Sequence, residues 1–358
     1  MAVQVAASCY EMSIMKLDLF DYDLPPALIA QEPLTQRDAS RMLVLHRGTG
    51  KIEHRKFLDL AEYIYPQDAL VFNQSKVIKA RLQGHRDTGG KVEIFLLQKV
   101  KNISEYEAVY EALVRATASQ KAGMKVDFGS GRIQAQVLEQ KPGDMVFLVH
   151  LKSRAEEWLQ FAIEAVGQIP LPPYITRAAE ENDSSRYQTI YAAEEGSVAA
   201  PTAGLHFTPN MSLKLAGQGT KLFYVTLHVG LGTFQPIKVE NIEEHKMHTE
   251  YFSVPENLLD DTKKIRANGG RVIGVGTTSV RTLESVARGM KEKTNIYLKP
   301  GEEFLAVDGM LTNFHQAKSS LLVMLSAFVG REKLLDVYQE AIREKYRFFS
   351  YGDCMLVL

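Results

Sequence analysis

The sequence predicts a layered α/β protein that carries a small, inserted antiparallel β-barrel. Two observations support this fold class. Strands and helices alternate through the second half of the chain, and short strands separated by glycine turns fill residues 77–154. A chain of 358 residues also exceeds the usual size of one hydrophobic core. We therefore expect a discontinuous α/β domain of residues 15–76 and 155–358, with residues 77–154 forming the barrel domain.

The barrel prediction depends on short apolar runs that often alternate with polar residues, the pattern of a strand with one buried face. Gly89-Gly90 and Gly129-Ser130-Gly131 supply turns between such runs. The strands predicted for this part are Arg81–Gly84, Val92–Leu97, Tyr106–Tyr110, Leu113–Ala116, Lys125–Phe128, Ile133–Val137 and Met145–Val149. Short strands at regular spacing, joined by turns, favour a small antiparallel barrel.

The remainder of the chain alternates between strand and helix patterns, which predicts an α/β layered domain. The predicted strands are Ala69–Phe72, Lys221–Leu227, Arg271–Val275 and Cys354–Leu358. The predicted helices are Glu156–Val166, Asn257–Ala267, Ser279–Arg288, Ser319–Phe328 and Glu332–Lys345. Because the first of these strands precedes the barrel and the others follow it, the barrel is most simply an insertion into the α/β domain.

Composition restricts the class of protein. Hydrophobic residues make up 45% and charged residues 24% of a chain with a net charge of -1, which is ordinary for a globular protein and argues against a polyelectrolyte. The cysteines, Cys9 and Cys354, are too few for a disulfide framework and favour a reducing cytoplasm. The apolar run Leu321–Val329 is far shorter than the ~20 residues of a spanning helix. We expect a cytoplasmic protein with no membrane or protein partner.

Three segments rich in small residues carry histidines: Gly196–Phe207, Leu227–Phe234 and His245–Glu250. Small residues allow the backbone to approach a ligand closely, and imidazole can act as a general acid or base near neutral pH. A single histidine is more often a hydrogen-bonded core or loop residue. The grouping of these histidines in three nearby segments therefore favours a ligand-binding or catalytic site more strongly than any single histidine does. The histidines in or next to predicted loops of the α/β part are His206, His228, His245, His248 and His315.

The segment His245-x-x-His248-x-Glu250 raises a metal alternative, because histidines three residues apart with a carboxylate can bind zinc. The carboxylate lies beyond the histidines, unlike in His-Glu-x-x-His, so a loop that directs imidazoles to an organic substrate is favoured and no metal is expected.

The strand-turn-helix pattern at 272–281 lacks the third glycine of a dinucleotide fingerprint. Its helix start at Thr277 and Thr278 offers amides and hydroxyls to a phosphate, carboxylate or ribose, although a plain N-cap is equally compatible.

Two further features have both a functional and a packing interpretation. The segment Tyr346–Asp353 is dense in aromatic residues, which can stack on bases and attract cations. Packing explains such residues as well, but Asp353 has no helical face to occupy. Basic residues at the start of the barrel are either a solvated face or a surface that binds RNA phosphates. They are Lys76, Lys79, Arg81, His85, Arg86 and Lys91.

A set of ordered motifs extends over nearly the whole chain, from about Lys16 to Leu358. The motifs are Leu171-Pro-Pro-Tyr-Ile175, Tyr187-Gln-Thr189, Ala199–Phe207, Leu227-His-Val-Gly230, Gly276-Thr-Thr-Ser279 with Arg281, Thr312-Asn-Phe-His315 and Tyr346–Asp353. In these the chain strongly resembles the S-adenosylmethionine:tRNA ribosyltransferase-isomerases of queuosine biosynthesis. The fold of that family, an α/β domain with a small β-barrel, agrees with the prediction above. Residues 1–14 precede the usual family start and are expected to be a disordered extension or a start-site artefact.

The resemblance implies a tRNA-modifying enzyme that consumes S-adenosylmethionine as a ribosyl donor. The ribosyl moiety is transferred and isomerised onto 7-aminomethyl-7-deazaguanine at the wobble position of a tRNA with a GUN anticodon. The product is epoxyqueuosine in tRNA, with release of adenine and methionine. Because a sulfonium acidifies the neighbouring 5′ carbon, a base there can generate an ylide, and loss of adenine needs an acid near the purine. His206 or His228 is the expected base, and His315 or Asp353 is expected to assist the leaving adenine.

Binding residues are assigned in the same way, as hypotheses from the chemistry that the implied reaction needs, because the family name does not fix these roles. Thr277, Thr278 and Arg281 are expected to bind the methionine carboxylate or the ribose. Phe207 or Tyr351 is expected to stack on adenine or face the sulfonium. The expected substrate-binding set also includes Thr202, Gly204, His245, His248 and Asn313, and the expected tRNA-binding residues are Lys76, Arg81, Arg86 and Lys91.

The chain departs from the family pattern at a few positions. Gln74-Ser75-Lys76 stands where Asn-Thr-Arg is usual, and a lysine cannot reproduce the bidentate binding of an arginine. Gln316-Ala317 replaces Leu-Pro after His315, which is expected to loosen that loop. Two other functions remain as alternatives. One is a metal-dependent hydrolase built on the His245–Glu250 segment, and the other is a non-catalytic RNA-binding module that uses the barrel.

Overall fold

The computed structural model describes residues 14–116, 122–142, 145–154, 156–230, 232 and 236–358. The expected extension, residues 1–14, therefore lies outside the described residues except for Ile14. The strands are β1 Arg41–Leu45, β2 Ile52–Lys56, β3 Ala69–Asn73, β4 Ser75–Val77, β5 Arg81–Arg86, β6 Lys91–Asn102, β7 Glu107–Ala116, β8 Lys125–Phe128, β9 Ile133–Gln140, β10 Val146–Ser153, β11 Glu194–Ser197, β12 Lys221–Leu227, β13 Glu250–Ser253, β14 Val272–Val275, β15 Lys293–Thr294, β16 Gly309–Asn313 and β17 Cys354–Val357. The α-helices are α1 Leu159–Val166, α2 Asp183–Arg186, α3 Pro209–Gly217, α4 Leu258–Ala267, α5 Thr277–Ala287, α6 Ser320–Val329 and α7 Arg331–Arg343.

Among the described residues, nine strands form one mixed sheet in the order β15-β13-β12-β3-β14-β16-β17-β1-β2. Its central strands β12, β3, β14 and β16 are parallel, so their carboxyl ends meet at one edge of the sheet. Strand β17 runs antiparallel to β16 and parallel to β1, which brings the amino ends of β17 and β1 to that same edge. In an open α/β sheet, loops at the carboxyl ends of the strands are where ligands bind.

Burial explains why these segments form central strands. Every residue of β3, β14, β16 and β17 is buried, as expected for strands covered on both faces. Helices α4 to α7 begin and end within two residues of their predictions, because their apolar residues recur at helical spacing. The prediction of a layered α/β domain is therefore confirmed.

Strands β5 to β10 close into a barrel in the order β10-β7-β6-β5-β8-β9, and every neighbouring pair is antiparallel. Strand β7 alternates buried and partly exposed residues along most of its length, so one face fills the barrel. The predicted strands Tyr106–Tyr110 and Leu113–Ala116 are one strand, because the alternation continues through Glu111 and Ala112. The inserted antiparallel barrel is confirmed, and the domain bounds at 76/77 and 154/155 stay predictions.

Within the described part of the chain, no helix is both long and apolar enough to cross a membrane. The most apolar helix, α6, has 10 residues, about half of the ~20 that a span requires.

Candidate active site

A small pocket lies at the sheet edge where β14 and β16 end, and we call it the edge pocket. Its volume is about 70 Å³. Its walls come from the loops after β14 and β16 and from the segment before α3, which explains why motifs far apart in sequence meet there. Predicted site residues that line it are Thr202, Thr277, Thr278, Asn313 and His315, and Ser350, Tyr174 and Phe349 join them. The structure therefore brings together five of the predicted residues.

The start of α5 contributes polar groups to this pocket. Gly276, with a φ of 87°, makes the left-handed turn that ends β14, a conformation that favours glycine. The hydroxyl Oγ1 of Thr278 is buried and has no hydrogen-bond partner among the described residues, and neither does Oδ1 of Asn313. Buried polar atoms are rarely left unpaired. These two atoms, with the first-turn amides of α5, are positioned to bind a polar ligand.

A buried ion pair lies beside the edge pocket. Arg281 donates from Nη1 to Oε2 of Glu250 at 2.5 Å and from Nη2 to the carbonyl of His248 at 3.1 Å. Oε1 of Glu250 accepts from the amide of Gly230 at 3.0 Å. Burial lowers the pKa of Arg281, and Glu250 opposes that shift. The Nε of Arg281 is left without a partner among the described residues.

This ion pair bears on the metal alternative. Both oxygens of the Glu250 carboxylate are engaged by protein groups. His248 is exposed, and His245 packs edge-on against Tyr297 with ring centroids 5.3 Å apart. Over the described ranges, no three His, Cys, Asp or Glu side chains are grouped so as to hold a metal ion. The expectation that no metal is needed stays a prediction.

His228 carries a buried ring nitrogen that has no hydrogen-bond partner among the described residues. It follows β12 directly, is partly buried, and its Nδ1 has no hydrogen-bond partner in the described part of the chain. Gly196, at a φ of 140°, packs against this ring, and a Cβ there would lie 2.9 Å from Nδ1. Burial lowers the pKa of His228, and nearby Glu194 opposes the shift. The imidazole is therefore neutral at pH 7 and able to accept a proton.

His206, by contrast, is fully enclosed. Its Nδ1 lies 2.8 Å from Oγ of Ser40, and its Nε2 lies 3.4 Å from Nδ2 of Asn313. Because Nδ2 of Asn313 can only donate, Nε2 is the acceptor and Nδ1 carries the proton that is donated to Ser40. Burial lowers the pKa of His206 to about 4, and the charges of Arg347 and Arg37 contribute. This histidine is neutral and both of its nitrogens are occupied.

His315 lines the edge pocket and is held rigidly. Its Nε2 lies 2.7 Å from Oγ1 of Thr312, its amide donates to the hydroxyl of Tyr338 at 2.9 Å, and its carbonyl accepts from Tyr22. The loosening expected from Gln316-Ala317 is therefore not seen at His315 itself. Burial lowers the pKa of this imidazole to about 3.

Buried histidines make the stability of this protein sensitive to mild acid. The pKa values of His206 and His315 in the fold, about 4 and about 3, lie below the value of about 6.5 for an exposed imidazole. The unfolded chain therefore binds more protons once the pH falls below 6.5, and the free energy of unfolding decreases from there towards the folded-state pKa values. At about 1.4 kcal/mol per pKa unit, the full shift corresponds to roughly 3 kcal/mol for His206 and roughly 5 kcal/mol for His315.

We expect His315→Gln to weaken this dependence, because glutamine keeps a polar group at the site but does not titrate. The measurement is the melting temperature of both proteins from pH 7 to pH 4.5, compared as slopes rather than as absolute values. A shallower decline in the variant is the expected result. Parallel curves would contradict it.

Several predicted residues lie away from the edge pocket. Asp353 accepts from the amides of Arg41 at 2.9 Å and Arg347 at 2.8 Å, so its carboxylate joins the start of β1 to the last loop. The hydroxyl of Tyr351 donates to Asp183 at 2.7 Å. Phe207 has no exposed surface and packs edge-on between Phe57 and Phe72. Gly204 is required by packing, since a Cβ there would meet the Tyr191 hydroxyl at 2.0 Å.

A large cleft of about 1720 Å³ separates the barrel from the α/β domain. Val229 lines both this interdomain cleft and the edge pocket, and His228 stands on the cleft wall next to it. The basic residues along the cleft are Lys76, Lys79, Lys99, Arg115, Lys141 and Lys238. Lys76 is thus the member of the predicted tRNA-binding set that the cleft includes, and it pairs with Glu195 at 2.9 Å. The described lining does not include Arg81, which pairs with Glu93, or Arg86 and Lys91.

A pocket with buried polar groups that are unpaired among the described residues, beside a cleft lined by six lysine and arginine residues and four glutamates, is the kind of site that an α/β enzyme acting on a small polar metabolite and a larger partner would have. The family described as queuosine biosynthesis protein matches residues 17–357. The chain belongs to this family.

Individual relatives agree over the full length. The S-adenosylmethionine:tRNA ribosyltransferase-isomerases of Moorella thermoacetica and Acetivibrio thermocellus are 48% and 46% identical over 351 residues, which is 96% of this chain and 100% of each relative. A crystal structure of S-adenosylmethionine tRNA ribosyltransferase from Thermotoga maritima is 34% identical, with a TM-score of 0.53. The structural match covers 95% of this chain and 100% of the Thermotoga maritima chain.

Proposed function

We infer that this protein transfers and isomerises the ribosyl moiety of S-adenosylmethionine onto 7-aminomethyl-7-deazaguanine at the tRNA wobble position. The products are epoxyqueuosine in tRNA, adenine and methionine. The observation that carries this is the shared wall at Val229, which joins a pocket sized for part of a small molecule to a cleft lined by basic residues. A ribosyl group bound in the pocket can there meet a base presented from the cleft.

We propose that S-adenosylmethionine binds with part of the molecule in the edge pocket and the rest towards the interdomain cleft. The α5 amino terminus, with Thr277, Thr278 and the neighbouring Arg281, would bind the methionine carboxylate or the ribose. Support comes from Oγ1 of Thr278, Nε of Arg281 and Oδ1 of Asn313, which are buried and have no hydrogen-bond partner within the described ranges. Thr202, which lines the same pocket, joins this set. His245 and His248, near Arg281, would lie towards the cleft side of the ligand.

We propose His228 rather than His206 as the base that removes the proton from the 5′ carbon. His228 has a free nitrogen on the wall between the two sites, whereas the nitrogens of His206 are both hydrogen-bonded. His315 lines the pocket and would bind the leaving adenine through a hydrogen bond, because a group of such low pKa is not protonated at pH 7. Asp353 would act as a positioning residue, since its oxygens bind two backbone amides.

We also propose different aromatic residues for the contact with adenine or the sulfonium. Tyr351 packs against Tyr187 and binds Asp183, and Phe207 is enclosed by other rings. Tyr174 and Phe349, which line the edge pocket, are better placed to contact adenine or the sulfonium than either of them.

We propose that the interdomain cleft receives the anticodon loop of a tRNA with a GUN anticodon. Lysine side chains along the cleft would bind phosphates, and the wobble base would leave its stack to reach Val229. Trp158 and Phe161 stand at the rim with their rings stacked 5.8 Å apart and 44% and 56% exposed. Phe161 also lines the cleft. Exposed rings beside lysines suit bases from a single-stranded loop.

Trp158 is the one tryptophan in the chain, so its fluorescence reports on this rim. We expect tRNA carrying the precursor base to quench the emission saturably, because a stacked base or nearby phosphates change the environment of the indole. S-adenosylmethionine alone, bound in the edge pocket, should leave the emission nearly unchanged. Phe161→Ala provides the matched control for ring stacking. Full tRNA binding, measured separately by anisotropy, without any emission change would remove the rim from the docking surface.

One assay tests the function. The protein is incubated with S-adenosylmethionine and tRNA that carries the aminomethyl precursor, and adenine and epoxyqueuosine are quantified with and without EDTA. We expect adenine release that depends on this tRNA and continues in EDTA. Tight tRNA binding without adenine would support the RNA-binding module instead. Activity that disappears in EDTA and returns with stoichiometric zinc would refute the metal-free expectation.

We further propose a cytoplasmic location. The described cysteine, Cys354, is a buried free thiol, which suits a reducing compartment. No protein partner is proposed.

A further inference from the structure

A second polar pocket lies at the same sheet edge, next to the start of β1, and the roles proposed above do not use it. We call it the arginine pocket. Its walls include Leu34, Arg37, Ser40, Arg186, His206 and Tyr351. Ser350 lines both this pocket and the edge pocket, so the two are neighbours. The interdomain cleft borders the opposite side of the edge pocket, at Val229.

The guanidinium groups of Arg37 and Arg186 donate hydrogen bonds to backbone carbonyl oxygens rather than to carboxylates. Arg37 donates to the carbonyls of Leu205 at 3.2 Å and Ser185 at 2.8 Å. Arg186 donates to those of Leu34 at 2.6 Å and Thr35 at 2.9 Å. In the described structure these hydrogen bonds pair the N–H groups, but they do not neutralise the positive charges of the two arginines, because a carbonyl oxygen carries no formal charge. Two like charges held together in this way attract an anion.

Two more guanidinium nitrogens in this region lack a hydrogen-bond acceptor among the described residues. The Nε of Arg186 is buried and has no hydrogen-bond partner among the described residues. The same is true of Nη1 of Arg347, whose Nη2 donates to the carbonyl of Glu32. Besides burial, the positive charge of Arg347 lowers the pKa of His206, which lines the pocket, and the charge of Arg186 lowers that of Arg37, so the charges of the two pocket arginines lie close enough to act on each other. Arg347 lies outside the pocket lining and also faces the carboxylates of Asp353 and Glu32.

The size of the pocket restricts the ligand. Its enclosed volume is about 20 Å³, close to the minimum of about 10–15 Å³ that holds one water-sized group. One oxygen of an anion fits inside, while the rest of the group stays at the mouth. A phosphodiester meets this condition, since its ester oxygens lead away along an extended chain. The bulk of a tRNA can stay outside while one phosphate oxygen enters.

We propose that the arginine pocket binds a backbone phosphate of the tRNA next to the wobble nucleotide. This inference rests on the proposed function. The tRNA then crosses the whole sheet edge, with its anticodon loop in the interdomain cleft, its wobble base at the edge pocket and the adjoining phosphate at Arg37 and Arg186. Arginine suits this position because its planar fork binds phosphate with directed hydrogen bonds.

Leu34 allows a test that leaves both arginines in place. Leu34 lines the pocket, and its hydrogen bond to Arg186 is made by its backbone carbonyl, which a substitution leaves in place. Leu34→Glu places a carboxylate beside the guanidinium groups, and Leu34→Gln is its size-matched neutral control. Arg186→Lys keeps the charge but removes the Nε donor and the fork. Arg343→Ala, on the exposed face of α7, controls for a general loss of positive charge.

The measurements are KM for precursor tRNA and for S-adenosylmethionine, the dissociation constant for the tRNA by anisotropy, and the salt dependence of that constant. Relative to Leu34→Gln, we expect Leu34→Glu to weaken tRNA binding by on the order of tenfold to a hundredfold and to reduce the salt slope by about one. KM for S-adenosylmethionine should change by less than about threefold. Arg186→Lys should weaken tRNA binding in the same direction, and Arg343→Ala should not.

Equal tRNA affinity for Leu34→Glu and Leu34→Gln would overturn the proposal. A rise in KM for S-adenosylmethionine alone would also overturn it, and would assign the pocket to the methionine carboxylate. Failure of the proposed function is distinguishable, because it would appear as absent adenine release in the unmodified protein. The anisotropy measurement does not depend on turnover, so it tests the phosphate site in either case.

Discussion

Replacing His228 with alanine is expected to slow tRNA-dependent adenine release by roughly a hundred- to ten-thousand-fold, the usual contribution of a general base. The reason is that its Nδ1 is buried on the cleft wall beside Val229 and has no hydrogen-bond partner in the described part of the chain. The measurement is single-turnover release at saturating concentrations of both substrates. Because His228 is not expected to bind the methionine carboxylate or adenine, KM for S-adenosylmethionine should change little.

Two comparisons make this result specific. With S-adenosylmethionine deuterated at the 5′ carbon, the unmodified protein should remove the 5′ deuterium more slowly than it removes hydrogen from the ordinary substrate. His228→Ala should not exchange the 5′ deuterium with solvent. His206→Ala serves as the competing variant, since it removes the other candidate base but disturbs Ser40 and Asn313 instead. If His206→Ala loses the deuterium exchange while His228→Ala retains it, the assignment of the base is reversed.

Arg281→Met is expected to lower the free energy of unfolding by about 3–5 kcal/mol, because it leaves the Glu250 carboxylate buried without its charge partner. Both side chains are less than 9% exposed, and the pair is tied to Gly230 as well. Urea unfolding monitored by circular dichroism measures this change. The same substitution should weaken S-adenosylmethionine binding, since Arg281 adjoins the α5 amino terminus.

A second variant separates stability from binding. Arg281→Met combined with Glu250→Leu replaces the ion pair by apolar groups of similar volume, which often restores stability when a buried pair is exchanged. We expect the double variant to recover most of the lost unfolding free energy but not the affinity for S-adenosylmethionine. Recovery of both would mean that Arg281 has a structural role only.

Much of the fold could be predicted because its elements carry periodic apolar residues. The elements that were missed lack that signal. Strand β16 is fully buried but begins with Gly309 and ends with Asn313, residue types that are depleted in strands and common in turns. Helix α3 did have a readable start, because Thr208 accepts a hydrogen bond from Met211 and a proline follows it at the first helical position.

The candidate site was predictable as a set of segments but not as a set of roles. The partners that occupy the nitrogens of His206 lie 166 and 107 residues away in sequence, so no local pattern distinguishes it from His228. Of the basic cluster at the start of the barrel, Lys76 and Lys79 line the cleft, and its role in binding tRNA stays a prediction. Which face of a closed barrel turns towards the cleft depends on strand tilt and register, which spacing in the sequence does not specify.

The arrangement of the sheet has a consequence for how the chain folds as it is synthesised. Strand β1 pairs with β17, from Met42 with Cys354 to Leu45 with Val357, so the first strand of the sheet must wait for the last. The barrel pairs neighbours that are mostly close in sequence and is expected to form first. Contacts between distant residues form slowly because their loops must close. The edge pocket, lined by the loops after β14 and β16 and by the loop before β17, is therefore expected to be completed only after β17 has been synthesised.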